Sequence, residues 1–451
     1  MGRGARVQTG LAFVLSWVVY STSLPFTGLD QAWVIPTALS ILREGNTDLN
    51  EFVRPHPPAV FYNLECVPPQ GPAVRYRPER EECQGGRVYN FFPVGPSVLA
   101  LPFVWLMEHA TRWAGPVFLT AYPRLPQPVA AFLAGDLVGG RLLAEMWIAA
   151  FFGACAVALF FATARRLTNV RAAWWFTVLF AFGTSMWSVA TRSLWQHGPS
   201  ALFLLLAVYC LVRGRSEPHW IPPAGLAVAA AYAVRPTNSL AVLALTIYVF
   251  VHHRPRFGRY LAWASPVAAA FVWYHVATRS HILPLYYRSG LEWSGVGGWL
   301  LGLAEQTVSP SRGLFVFTPV FLISVAGLVL AWRRRWLFPL TPYLTVVMAL
   351  HAAVVAMWWP GHCYGSRYFA DLNPWLALYL IPAEQVWEES RGLRRQAWLG
   401  LFVVLALWSV FVHARGAYSV PAQMWNLSPV DVIEQRDRVW DWRDPQFLRG
   451  L

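Results

Sequence analysis

Seven polar side chains fall on one face of an otherwise apolar layout: Asp30, Arg192, His197, Arg235, Arg312, Arg367 and Asp371. Their types suit one chemistry. Arginine forks hold phosphate or pyrophosphate. An aspartate beside them suits a general base, taking a proton from a sugar hydroxyl as that hydroxyl attacks an anomeric carbon. The arginines then stabilise the charge that develops on a phosphate leaving group. One stretch sets polar groups at the mouth of the apolar runs: Trp358 to Asp371 holds His362, Cys363, Tyr364, Arg367 and Asp371 between two of them. Its plain alternative is an interfacial belt of Trp and Tyr with a snorkelling arginine.

The assignment read from these residues is as follows. Asp30 is the base, with Asp48 and Glu51 next in the same loop. Arg367 binds phosphate, helped by Arg235 and Arg312, with Arg192, His197 and Tyr364 nearby. His362 and Asp371 contact the sugar or the acceptor. Plainer roles stand beside these: Asp30 as the cap of a following helix, Arg235 as a donor to carbonyls at its own proline-broken turn, and Arg312 as a snorkelling side chain at a helix start. The chain shows no glycine-rich phosphate loop, no His/Cys metal cluster and no G-x-S-x-G elbow. No metal is assigned, and dependence on a divalent ion stays open.

Composition dictates what must position these groups. Hydrophobic residues make up 56% of the 451, and charged residues only 13%. The apolar residues come in runs of roughly 15 to 25, the length that crosses a bilayer. The fold class is therefore all-α and polytopic, without a large soluble domain. The net charge is +13, and every one of the 36 basic residues is arginine. Much of that charge sits in short loops, as the positive-inside rule requires, so no nucleic-acid partner is implied. Cys66 and Cys83 share one polar loop and either pair there or stay free thiols.

In chain order, the run Leu11 to Leu29 is the first span, with Asp30 directly after it. Trp33 to Arg43 has apolar residues at helical spacing and predicts a surface helix. Residues 46–90 form a polar outer loop containing His56. Residues 91–107 and 115–135, broken by proline, form either a membrane hairpin or re-entrant or surface helices. Later runs end in five basic clusters, at 165–171, 213–215, 252–256, 333–335 and 391–395. Between them, 221–252 predicts two short spans turning at Arg235–Asn238, because a residue before proline suits a helix interior poorly. The outer loop 278–311 carries His281, Tyr286, Tyr287, Arg288 and Glu292. The count is 11 transmembrane helices, or 13 with the hairpin. Residues 1–413 form the membrane domain, with 30–90 its first extracytoplasmic loop, and 414–451 are a short polar outer tail.

At this point the chain resembles bacterial membrane glycosyltransferases of the GT-C superfamily, distantly similar to protein mannosyltransferases and to the aminoarabinose transferases of lipid A. The resembling pieces are LSILREGNTDLNEF at 39–52, YNFFPVGPSVLALP at 89–102, RSLWQHGP at 192–199, RPTN at 235–238, SPSRGLFVFTP at 309–319 and WWPGHCYGSRYFADLNP at 358–374. The resemblance implies a polyprenyl-phosphate sugar donor, an inverting transfer to an extracytoplasmic lipid, glycan or protein acceptor, and a site facing away from the cytoplasm of a bacterial inner membrane. It also implies an essential acid in the first outer loop, which Asp30 matches. The second acid common beside it is Gln31 here, which leaves a paired-acid or metal scheme in doubt. The competing classes are a transporter or flippase for a lipid-linked anion, and a non-catalytic scaffold. A transporter predicts internal repeats and broken helices at mid-membrane, and no convincing repeat is visible.

Overall fold

The computed structural model describes residues 3–26, 28–53, 63–77, 83–279 and 293–451. His56, His281, Tyr286, Tyr287, Arg288 and Glu292 lie outside them. Among the described residues there are fourteen helices of ten or more residues. They are α1 Arg3–Ser21, α2 Val34–Glu44, α3 Gly95–Ala121, α4 Arg141–Ala164, α5 Val170–Phe182, α6 His197–Gly214, α7 Pro223–Val234 and α8 Ser239–His252, followed by α9 Arg254–Arg279, α10 Gly295–Val308, α11 Phe321–Arg333, α12 Leu340–Val355, α13 Leu380–Glu389 and α14 Gly392–Tyr418. Three of them, α4, α6 and α14, are long and apolar enough to cross a membrane, and four shorter apolar helices accompany them. The fold is that of a polytopic helical membrane protein.

The position of a helix follows from its residues. α4 is rich in alanine and phenylalanine, and 78% of its most apolar window is buried. It packs on α1, α5 and α6. α14 is equally apolar but only 17% buried, so it stands at the periphery with its leucines and valines outward. The chain breaks where proline and arginine meet: α7 stops at Val234, a single 3-10 turn spans Pro236–Asn238, and α8 resumes.

Two expected layouts change. α1 ends at Ser21, and residues 22–26 and 28–33 lie outside any helix before α2 begins, so Asp30 sits in a folded segment rather than at a helix exit. The two pieces at 91–107 and 115–135 are instead one helix, α3, with Pro102 and Pro116 inside it, and a short helix Gln127–Leu133. α3 lies against α2, and Glu108, midway along it, accepts a 2.5 Å bond from Arg43 near the end of α2.

The described part of the polar loop at 46–90 also carries regular structure that its polarity does not suggest. Strands β1 Leu64–Val67, β2 Val74–Arg75 and β3 Arg87–Asn90 form an antiparallel sheet in the order β2-β1-β3. Cys66 and Cys83 are joined in a disulfide beside it. Glu65 of β1 is fully buried and pairs with Arg279 at the end of α9, which ties the sheet to the bundle.

The tail is likewise folded. Trp425, Val432 and Val439 form a small buried cluster, and Gln446 and Phe447 insert beneath residues 361–365.

Candidate active site

The segment that carries Asp30 is held by backbone hydrogen bonds. Leu24 N–H donates to Ala417 O and Phe26 N–H to Arg192 O, each at 3.0 Å. Arg192 returns a bond from Nε to Leu24 O at 2.6 Å and a second from its guanidinium to Gly416 O. Gly28 follows, where a Cβ would lie 2.7 Å from the Trp195 ring, so only glycine lets the segment pass so close. The Trp195 indole N–H donates to Gln31 Oε1, and Gln31 Nε2 donates to Gly28 O at 2.8 Å. These bonds present Asp30 half-exposed at the rim of a cleft. The first helical turn of α2 takes Trp33 as its N-cap, with no side-chain cap, so Asp30 does not serve as the cap.

The opposite wall comes from the far end of the sequence. After α12 the chain turns at Gly361 and Gly365, both with positive φ, and then forms a 3-10 helix, Arg367–Leu372. Gly365 sits against the Phe317 ring, where a Cβ would come within 2.4 Å. Arg367 points across the cleft and donates to Asp30 Oδ2 at 2.8 Å. It also donates to the Tyr368 hydroxyl at 3.3 Å, and its guanidinium lies 4.9 Å from the Trp195 ring centroid. Burial opposes its charge, but the Asp30 carboxyl, then Tyr368 and Cys363, together more than offset that and hold it as a cation.

Behind this pair lies a second, fully enclosed one. Asp371 Oδ2 is 3.0 Å from Arg235 Nε and 3.2 Å from His197 Nδ1. Burial alone would raise the Asp371 pKa. The Arg235 guanidinium and then the His197 ring hold it well below the usual carboxylate range. Its other oxygen, Oδ1, has no hydrogen-bond partner among the described residues. His197 opens α6, and Arg235 closes α7 at the proline break, so two helix ends and the 3-10 turn converge here.

The cleft bounded by these groups is lined by Asp30, Gln31, Trp195, His197, Arg235 and Arg367, with Phe92, Gln196 and Tyr368. It encloses only about 30 Å³, within about 450 Å³ of empty space counting its open mouth. Phe92, Trp195, Gln196 and Tyr368 lie within the resembling sequence pieces, and Gln31 follows Asp30 directly; that position was their only signal in the sequence.

Other expected residues lie elsewhere. Arg312 is fully buried and gives its guanidinium hydrogens to Ser311 O, Gln446 Oε1, Gly361 O and Asn426 Oδ1 at 2.8–3.1 Å. Arg192 is spent on the Asp30 segment, and burial pulls its pKa down to about 9. Tyr364 is buried and donates to Val412 O. His362 pairs with Asp431 of the tail at 2.7 Å. Asp48 packs against the sheet, where it bridges Tyr89. Glu51 lies in the first turn of the short helix Asn50–Val53 and is exposed. None of these six lines the cleft. Among the described residues no group of three His, Cys, Asp or Glu comes together to hold a metal ion.

Residues 128–277 match the family model of the dolichyl-phosphate-mannose-protein mannosyltransferases. The match is distant and covers about a third of the chain, from the helix before α4 to near the end of α9. It is consistent with the membrane glycosyltransferase superfamily. It includes Arg192, His197 and Arg235 and leaves Asp30 and Arg367 outside. No curated protein and no solved structure matches significantly.

Proposed function

We propose that the protein transfers a sugar from a polyprenyl-phosphate donor to the hydroxyl of a lipid, glycan or protein acceptor, with inversion. In this reading it sits in a bacterial inner membrane, with the cleft facing away from the cytoplasm. The observation that carries it is the pairing of Asp30 and Arg367. They lie 337 residues apart in sequence and meet at 2.8 Å across the mouth of a cleft that also holds Arg235 and His197. The partial match to a mannosyltransferase family supports the same reaction class.

The small enclosed volume of the cleft supports one order of events. At rest, Arg367 closes the mouth by bonding Asp30. The donor phosphate, with its lipid tail in the bilayer, takes the Arg367 fork and so frees the Asp30 carboxylate. Asp30 then accepts the proton of the acceptor hydroxyl as its oxygen bonds to the anomeric carbon. The bond from that carbon to the phosphate oxygen breaks, and the electron pair leaves on the lipid phosphate, whose charge Arg367 and Arg235 stabilise. Crossings number 11 in this reading, with residues 91–135 lying on the outer surface, because Glu108 at the centre of a spanning helix would put a charge at mid-bilayer.

The test is transfer by purified protein from a panel of radiolabelled polyprenyl-phosphate sugars. Asp30→Asn should cut the rate by about 10²- to 10⁴-fold and leave donor binding intact. A folded D30N protein that transfers at the wild-type rate would remove Asp30 from the reaction.

A further inference from the structure

At the basic end of the bundle, far from the cleft, a second recess runs up between α5 and α14. Its floor is aromatic: Phe402 lies 6.3 Å from Phe176 and 5.2 Å from Trp387, centroid to centroid. It encloses about 480 Å³. Its sides are open outward, with Trp175 60% and Leu407 65% exposed. The lining runs along α14 from Arg395 to Val410, a rise of about 22 Å. That exceeds half of the roughly 30 Å hydrocarbon core, so the apolar length accommodates an acyl chain of one leaflet.

The rim of this groove carries both signs of charge: Arg171 and Arg395, with Glu384 and Glu388. The ion pairs at this end of the bundle join Arg166 and Arg213 to Glu217, and Arg334 to Glu389. None among the described residues takes Arg171, Arg395 or Glu388. Opposite charges thus line one groove without neutralising each other. α5 and α14 both begin at this rim, and their N-terminal dipole ends favour an anion there.

We infer that this groove is a binding site for one zwitterionic phospholipid of the leaflet at the basic end. Its phosphate lies between Arg171 and Arg395, its ammonium faces Glu388, and one acyl chain lies over Phe402. A head that carries phosphate and ammonium together matches a rim that carries unpaired arginine and glutamate together. An anionic lipid would leave Glu388 opposed, and a head without phosphate would leave both arginines without a partner. The inference stands independently of the reaction proposed for the cleft.

The experiment is native mass spectrometry of the full-length protein, released from nanodiscs of equimolar phosphatidylethanolamine, phosphatidylglycerol and diacylglycerol. One retained phosphatidylethanolamine per chain is expected. The exposed rim pair Arg171→Gln with Arg395→Gln should weaken its retention about tenfold or more, since each charged contact removed is of the size that gives a tenfold change. Val403→Trp, which fills the groove from an exposed position, should abolish it. Melting temperature and gel filtration establish that both variants are folded. Equal retention of the three lipids, unchanged retention in the rim variant, or displacement of the phospholipid by a polyprenyl phosphate or by a second copy of the chain would each overturn the assignment.

Discussion

At the residue scale, the cleft separates two arginines that the sequence presents alike. Arg367 is buried yet faces the cleft, and its partner Asp30 is half-exposed. Arg367→Gln should raise the donor Kd about tenfold to a hundredfold, the value of a lost charge-assisted contact of about 1.5–3 kcal/mol. Direct donor binding measures it, and unchanged binding by the folded variant would exclude Arg367 as the phosphate ligand. Asp371 belongs to a different kind of pair, enclosed with Arg235 and His197. Asp371→Asn leaves the Arg235 charge buried without its counter-ion and should cost about 3–5 kcal/mol. Its pH dependence follows from the sign of the shift. The folded Asp371 pKa lies below the ordinary value, so the unfolded chain binds the proton first. The stability it contributes is complete above about pH 4 and is lost as pH falls through the lower folded value. Melting temperature measured on acidification should therefore fall more steeply for the wild type than for D371N.

At the element scale, the tail and the sheet hold what the helices alone do not. Arg312 bonds four oxygens contributed by residues 311, 361, 426 and 446, so it clamps the tail onto the turn before Arg367. Arg312→Gln should lower stability by about 2–4 kcal/mol, from several unmade bonds at about 1 kcal/mol each, with the donor Kd of the folded fraction unchanged. Denaturation monitored beside donor binding distinguishes this from Arg367→Gln, which should show the reverse. Legibility in the sequence follows the same division. The helices and the Arg235–Asn238 break were readable, because long apolar runs and an Arg-Pro step each have one cheap conformation in a bilayer. The sheet was not: β1 reads Leu-Glu-Cys-Val, and its first three residues are all buried, so no alternation marks it. Its glutamate is buried only because Arg279 comes to it from α9. The tail reads as polar, since Asn426, Gln446 and Arg438 are satisfied by carbonyls that only the folded chain brings near. For the same reason Arg192, Arg312 and Arg367 share a face in the sequence, and only tertiary partners tell clamp from ligand.

At the scale of the whole molecule, the two kinds of loop gather at opposite ends. Arg166 and Arg213 meet Glu217, Arg215 reaches the carbonyl of Phe338, His252 meets Tyr343, and Arg334 meets Glu389. The four basic loops involved are thereby neighbours, and the fifth cluster, at 391–395, follows Glu389 directly. At the other end Leu24 meets Ala417, Phe26 meets Arg192, Arg235 meets Asp371, and Gln306 donates to Trp358 O. We propose that the end bearing the five short arginine-clustered loops faces the cytoplasm, because the positive-inside rule counts short loops rather than the long outer loops and the tail. In that reading the cleft end, with its disulfide at Cys66–Cys83, lies in the compartment where disulfides persist. Single cysteines placed at exposed positions in a background without Cys155, Cys210 and Cys363 make this measurable. On intact cells, a membrane-impermeant maleimide should label cysteines at Trp442 in the tail and at Glu51 in the first loop. It should reach Arg334 and Arg394 only after the membrane is opened. Labelling in the opposite pattern would reverse the orientation and place the cleft, and any lipid-phosphate donor it takes, on the cytoplasmic side.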